Sequence, residues 1–182
     1  MKKILPFILL AGIGFLSYSC DNSNNDPVVV NPGQDNDTVG LAFDAYPIFT
    51  KAPDNNRLFQ SKQLFKNPLV KSDVVLIYMQ VDGTNDTPVW RILPYTRFAP
   101  DGSPVDYSYD FSKFDVVFSV NSTMDLTTSA NSVYYTNKRF RVVIVPADPA
   151  AKSTAAAAVD YSNYNSVIKH YKIDESKIKT LN

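Results

Sequence analysis

Residues 73–81 form a nearly uninterrupted apolar run, DVVLIYMQV, which limits the fold more than any other stretch of the chain. A run of this length, with β-branched and aromatic residues, is typical of a strand that is covered on both faces. The stretch DGTND at residues 82–86 is rich in turn-forming residues, and PVWRIL at residues 88–93 returns to a strand pattern. We therefore predict a β-hairpin over residues 73–93 inside a layered fold.

Five other segments have strand character and are separated by turn signals. They are LAFDAY (41–46), RLFQSKQLF (57–65), VDYSYDF (105–111), DVVFSV (115–120) and RFRVVIVPA (139–147). VDYSYDF alternates strictly between apolar and polar residues, which is the period of a half-buried strand. In the last segment, alternation places Phe140, Val142 and Ile144 on one face, and Arg139 and Arg141 on the other. Short strands without intervening helices predict an antiparallel β-sandwich, Ig-like or jelly-roll-like.

The C-terminal part has a helical period instead. Tyr161, Tyr164, Ile168 and Tyr171 recur at spacings of three and four residues, which predicts one helix at about residues 160–172. Either Asp160 or Ser162 can cap its start by accepting a backbone N–H. The predicted fold is therefore an all-β sandwich domain over residues 41–182 with one C-terminal helix.

The first twenty residues have the character of a targeting segment. Lys2 and Lys3 precede the apolar stretch ILPFILLAGIGFL at residues 4–16, which is shorter than the roughly 20 residues that span a bilayer. Ser17, Tyr18 and Ser19 then lead to Cys20, the single cysteine, and Ser19 provides the small residue before the cut. The pattern resembles a bacterial lipoprotein signal, which implies that residues 1–19 are removed and that Cys20 carries lipid. The alternative interpretation is a free thiol at the end of a membrane helix.

Residues 20–40 are rich in Asn, Asp, Pro and Gly and contain few apolar residues. Such a composition buries too little surface to offset the entropy of ordering, so we predict a flexible tether. Asp37, Thr38 and Val39 resemble an O-glycosylation motif of Bacteroidota, which makes Thr38 a candidate glycosylation site; the alternative is a solvated linker threonine. The acidic residues after Cys20 resemble, loosely, a signal for export to the outer face of the cell.

Charge and composition argue against several kinds of site. The chain has 18 basic and 18 acidic residues, and loss of Lys2 and Lys3 would leave 16 against 18. This balance gives no basic face for nucleic acid. The lone histidine, His170, has no partner at metal-ligand spacing, and no serine elbow or Gly-rich phosphate loop is present. Because there is one glutamate, Glu175, paired-carboxylate catalysis would have to use aspartates, and no particular pair stands out.

Exposed aromatic residues suggest a binding patch for a glycan or a protein, because they offer apolar area with a polar tip. The candidates are Trp90, Arg91, Tyr95, Tyr134 and Tyr135. The alternative interpretation is that Trp90 belongs to the core and that the tyrosines cover strand edges.

A weak calcium site is the only cofactor that the sequence suggests. Asp82, Asn85 and Asp86 place three oxygen-bearing side chains in one loop, and Asp101 with Ser103 forms a weaker candidate. The same residues are also ordinary turn formers, and we expect no other cofactor.

Several blocks resemble a family of small Bacteroidota lipoproteins of uncharacterised function. The blocks are DVVLIYMQVDGTNDTPVWRILP, VDYSYDF, RFRVVIVPAD and DYSNYNSVIK, between residues 73 and about 170. The resemblance implies a lipid anchor but transfers no active site. Together these features predict an envelope protein anchored at the outer membrane and facing the cell surface, with a non-catalytic binding or structural role. The alternative is an aspartate-dependent surface glycoside hydrolase or a similar envelope enzyme.

Overall fold

The computed structural model describes residues 40–71, 73–146 and 159–181. The predicted signal segment, Cys20 and Thr38 lie outside these residues. The described part contains ten strands, one α-helix (α1) and two short 3-10 helices. The elements are β1 Leu41–Ala45, β2 Thr50–Lys51, β3 Leu58–Leu64, β4 Val74–Gly83, β5 Pro88–Ile92, β6 Tyr95–Phe98, β7 Pro104–Phe111, β8 Asp115–Ser122, β9 Phe140–Val145, α1 Tyr164–His170 and β10 Lys179–Leu181, with 3-10 helices at Ser129–Tyr134 and Glu175–Lys177.

The strands form two five-stranded sheets. Sheet 1 has the order β10-β1-β9-β4-β5, and sheet 2 has the order β2-β3-β8-β7-β6. The predicted all-β sandwich with one helix near the C-terminus is thereby confirmed. All neighbouring strands are antiparallel except β1 and β10, which pair in parallel. In the parallel pair, Lys179, Thr180 and Leu181 lie opposite Phe43, Asp44 and Ala45.

Strand β4 is covered on both faces, as its apolar run predicts. Ile77 and Met79 face the core between the two sheets. Leu76 and Tyr78 face the opposite side of sheet 1, where residues 159–178 cover them. Alternation of side chains across a strand explains why one continuous apolar run serves two separate cores.

The helix is shorter than its apolar spacing predicts. It begins at Tyr164 because the side chain of Asn163 accepts the backbone N–H groups of Asn165 and Ser166, the usual role of an N-cap residue. Asp160 instead accepts from Ser162 in the preceding turn, so neither predicted cap is used. Tyr164 and Val167 are buried against the outer face of sheet 1. Within the described residues, no helix has the length and apolar character needed to cross a membrane.

Candidate functional site

A buried ion network lies on the outer face of sheet 1. Arg139 and Arg141 point to this face, opposite Phe140, as alternation along the strand predicts. Asp44 of β1 is paired with Arg141 across the sheet. The Oδ1 atom of Asp44 accepts from Nε of Arg141 at 2.7 Å, and Oδ2 accepts from Nη2 of Arg139 at 2.7 Å and from Nη2 of Arg141 at 3.1 Å. Asp44 is 8% exposed and Arg141 is 5% exposed, so this carboxylate is removed from water and bound by two guanidinium groups.

The C-terminal segment completes the network. Nη1 of Arg141 donates to the hydroxyl of Tyr164 and to Oε1 of Glu175, the latter at 2.9 Å. The Tyr164 hydroxyl in turn donates to Oε1 of Glu175 at 2.7 Å. Burial by itself would lower the pKa of Arg141, but hydrogen bonds to Asp44 and Tyr164 outweigh it and leave that pKa raised. The guanidinium therefore keeps its positive charge and ties the segment after α1 to the sheet.

The indole ring of Trp90 packs against the two arginines of the same network. Its ring lies 4.7 Å from the guanidinium carbon of Arg141 and 5.3 Å from that of Arg139, within the range of cation–π attraction. Its ring centroid is also 5.5 Å from that of Tyr164. The two arginines balance the two carboxylates, and every charged group is engaged with an opposite charge. This arrangement can clamp the fold, but it presents no unpaired acid or base to a substrate.

The residues of the predicted binding patch do not come together. Trp90 lies on the outer face of sheet 1, whereas the three tyrosines contact the core between the sheets. Tyr134 is buried, Tyr135 stacks on Phe59 with ring centroids 4.1 Å apart, and Tyr95 stacks on Tyr107 at 6.4 Å. Arg91 is exposed and pairs across the ladder with Met79, so its side chain leaves the opposite face from Trp90. Sheet 1 thus separates Trp90 from the other members.

Two of the three residues of the predicted calcium loop, Asp82 and Asn85, have hydrogen-bond partners within the protein. Oδ1 of Asp82 accepts the backbone N–H of Gly83 at 2.7 Å. Both the carbonyl and the side-chain oxygen of Asn85 lie 3.4 Å from Nη1 of Arg139, a cation in the place where calcium would need ligands. Within the described ranges, no three His, Cys, Asp or Glu side chains are placed to hold a metal together.

Four aspartates serve as turn caps rather than as a pair across a cleft. Each accepts the backbone N–H of the residue two positions further on, the geometry of an Asx turn. They are Asp101, Asp125, Asp160 and Asp174, which accept from Ser103, Thr127, Ser162 and Ser176. Hydrogen bonds from these partners lower the pKa of all four carboxyl groups.

His170 is exposed at the end of α1, where its ring meets that of Tyr171.

Two open grooves meet at the turn between β7 and β8. A groove of about 420 Å³ is lined by Leu93, Pro94, Tyr109, Asp110 and Phe111. A second groove of about 250 Å³ is lined by Leu69, Val70, Lys71, Asp73, Phe111 and Lys113. Phe111 borders both, so its ring forms the ridge between them.

Four large apolar side chains are exposed around this turn. They are Leu64 at 66%, Phe114 at 52%, Phe111 at 43% and Val74 at 41% exposure, and we call this set the hairpin-end surface. Backbone hydrogen bonds hold its parts together: the N–H of Phe65 donates to the carbonyl of Phe114 at 2.9 Å, and that of Leu69 donates to Lys113 at 2.7 Å. Leu64 and Phe111 leave opposite faces of sheet 2, so the four side chains share one end of the sandwich and not one face. Apolar exposure gathered at one end of a domain suggests an interaction surface.

Sequence reasoning missed both features. Asp44 and Arg141 each interrupt an otherwise apolar strand, and a charge in such a position needs a partner, which was the available signal. Their partnership was hidden because 97 residues separate them along the chain. The hairpin-end surface was hidden because Phe111 continues the core-facing alternation of Val105, Tyr107 and Tyr109. Leu64 lies on the opposite face of its strand from Phe59, among polar residues whose pattern is irregular.

Comparison of the chain with protein-family models, with curated proteins and with solved structures finds no match. A functional inference for this chain therefore depends on its own residues.

Proposed function

We propose that this chain is a lipid-anchored protein of the outer membrane, whose β-sandwich acts as a non-catalytic binding or structural module facing the cell surface. The observation that carries the proposal is the order of residues at the N-terminus: two lysines, the apolar stretch at 4–16, and the small residue Ser19 directly before Cys20. Thioether-linked lipid would remove a reactive thiol and supply the anchor. Each buried methylene of such a lipid contributes about 0.8 kcal/mol, so two or more chains give stable attachment.

The use of charged residues in the sandwich favours binding over catalysis. A glycoside hydrolase needs two carboxyl groups facing each other across a cleft, roughly 5–10 Å apart. Here Asp44 is neutralised by two arginines, Asp115 pairs with Lys62 at 2.6 Å, and further aspartates cap turns. The exposed apolar groups of the hairpin-end surface offer contact area without acid–base chemistry.

The anchor is tested by expressing the full chain and its Cys20→Ser variant in a bacterium with lipoprotein processing. We expect the parent chain to incorporate a labelled fatty acid and to remain in the membrane fraction after a carbonate wash. Intact mass should show the loss of residues 1–19 and the addition of acyl chains. Ser19→Ala is the matched control, because it keeps a small residue before the cut. Acylation of the Cys20→Ser variant would refute the proposal.

Placement and activity need separate measurements. Proteolysis of intact cells should degrade the sandwich if it faces outward, whereas protection until lysis would place it on the periplasmic side. Mass analysis of Thr38 in the same preparation reports whether the predicted tether carries a glycan. Release of soluble sugars from envelope polysaccharides by the purified full chain would overturn the non-catalytic assignment and favour the hydrolase.

A further inference from the structure

We propose that the hairpin-end surface lies against the bilayer. The sandwich then has a fixed orientation, with this end on the membrane, and does not rotate freely on its predicted tether. This inference rests on the proposed lipid anchor. The partner is a lipid surface with anionic headgroups, recognised by exposed apolar side chains and by the lysines around them.

The first argument is where the chain enters the sandwich. Gly40, the first described residue, precedes Leu41, which pairs with Ile144, and Ile144 pairs in turn with Val75. The Tyr109 hydroxyl of sheet 2 donates to the carbonyl of Val75 at 2.7 Å. This bond places Val75, and with it Ile144 and Leu41, beside the last residues of β7. The N-terminal residues therefore reach the sandwich at the end that carries Phe111 and Phe114.

The second argument is proximity. The tether predicted from the sequence of residues 20–39 would have an r.m.s. reach of about 25 Å, which would keep an anchored sandwich within a short distance of the headgroups. Under this constraint the local concentration of lipid at the entry end is high, and weak apolar contacts are enough to hold an orientation. A soluble partner would have no such advantage.

The third argument is the chemistry of the surface. Lys66, Lys71 and Lys113 are exposed around the four apolar side chains, and the ammonium of Lys113 lies 4.7 Å from the centroid of the Phe114 ring. Three aspartates also lie at this end: Asp115 is paired with Lys62, Asp73 accepts the N–H of Val70 at 3.0 Å, and Asp110 is exposed beside Phe111. With Lys62 included, four lysines face these three carboxylates, so basic side chains outnumber acidic ones here. Apolar groups that enter the interface beside lysines that meet phosphate are the usual combination in peripheral membrane contacts.

The exposed side chain of Phe98, at the opposite end of the sandwich, provides an internal control. Phe98, which is 68% exposed, pairs with Pro104 at the start of β7, whereas Phe111 ends that strand. Seven residue steps at about 3.4 Å place the two ends about 24 Å apart. A sandwich that stands on the bilayer at Phe114 therefore holds Phe98 away from the lipid, whereas a sandwich lying on its side would bring both residues to it.

The experiment uses the full acylated chain in vesicles of phosphatidylethanolamine and phosphatidylglycerol. Acylation occupies Cys20, so a thiol-reactive fluorophore attaches only at an introduced cysteine, Phe114→Cys or the control Phe98→Cys. We expect brominated lipids to reduce emission at position 114 and to leave emission at position 98 unchanged. Aqueous iodide should show the opposite order. The backbone amides of residues 111–115 should also exchange more slowly on vesicles than in detergent, a protection that Phe111→Ser should reduce and Phe98→Ser should not.

The outcomes separate the two proposals. If the parent chain, expressed with lipoprotein processing, carries no acyl group, the lipid anchor is refuted. An acylated chain whose position 114 is as open to iodide as position 98 refutes the docked orientation alone. Shielding of position 114 from iodide without quenching by brominated lipid also overturns the inference, because it means that a protein or a second copy of the chain covers this surface.

Discussion

Asp44 of β1 and Arg141 of β9 form a two-point ion pair across sheet 1, with both side chains almost fully withdrawn from water. Arg139 shares the same carboxylate, so one acid satisfies two guanidinium groups. The pair joins a strand near the start of the described chain to one near its end and holds the C-terminal segment through Glu175.

Removal of the Asp44 carboxylate should destabilise the folded protein. Asp44→Ala leaves two buried guanidinium groups without their main acceptor, and we expect the free energy of unfolding to fall by about 3 kcal/mol. Lys62→Ala is the control, since Lys62 is exposed and its pairing with Asp115 should contribute about 0–1 kcal/mol. Urea unfolding followed by fluorescence measures both. Equal losses for the two variants would contradict the role given to burial.

Glu175→Gln should loosen the C-terminal segment while leaving the sandwich folded. The variant keeps an acceptor for Arg141 and Tyr164 but loses the charge, and the side chain is half exposed, so we expect a loss of about 1 kcal/mol or less. Hydrogen exchange should accelerate in residues 159–181 and remain unchanged in β7 and β8. Lys177→Ala, in an exposed pair with Asp174 of the same segment, is the matched control and should change neither region.

Substitution of alanine at Gly83 and at Gly102 should lower the free energy of unfolding by different amounts, although the two glycines have similar φ angles. Gly83 has a φ of 81° and Gly102 has a φ of 84°, so both substitutions carry the left-handed cost of about 1–2 kcal/mol. A Cβ at Gly83 would lie 2.1 Å from the carbonyl oxygen of Thr87, whereas one at Gly102 meets nothing within 4 Å. Gly83→Ala should therefore destabilise the protein clearly more in urea unfolding. A larger effect at Gly102 would show that the β4–β5 turn relaxes freely.

Alkaline conditions should destabilise the fold through buried tyrosines. Burial raises the pKa of five phenols above the ordinary value of about 10: Tyr78, Tyr107, Tyr109, Tyr164 and Tyr171. A folded-state pKa above the unfolded one contributes stability that is complete below about pH 10 and is lost as the pH rises towards the folded-state values. Urea midpoints should therefore fall steeply above that pH, and phenolate absorbance should rise together with unfolding. Tyr109→Phe should make the fall less steep, whereas Tyr46→Phe, at an exposed position, should not.

Calcium should leave thermal stability unchanged. The oxygens of Asn85 lie near a guanidinium, and Asp82 accepts its neighbour's N–H, so two of the three predicted ligands already have partners within the protein. We expect equal melting temperatures with added calcium and with chelator. A higher midpoint in calcium would revive the predicted site, because a ligand that binds only the folded state stabilises it.

Local patterns predicted the elements well. The strict alternation of VDYSYDF corresponds to β7, and the opposed faces of Phe140 and Arg141 were correct because alternation in a strand is a property of its backbone. The helix was predicted four residues too long at its start, because apolar spacing extends beyond the hydrogen bonds that Asn163 supplies. Trp90 lies on the outer face of sheet 1, whereas Tyr95, Tyr134 and Tyr135 pack on the core between the sheets, so these aromatic residues do not form one continuous surface. Residue type alone does not reveal which cluster an aromatic residue joins.

The sequence by itself determined where strands and helix form, which side chains share a face and which stretch resembles a lipid anchor, because these depend on neighbours a few residues apart. Only the tertiary structure decided that Asp44 meets Arg141, that Glu175 closes the same network and that Leu64, Phe111 and Phe114 gather at the end where Gly40 enters. Those relationships depend on which distant strands become neighbours. Burial of apolar surface and the neutralisation of buried charge select that pairing over the whole chain, so no local period reveals it.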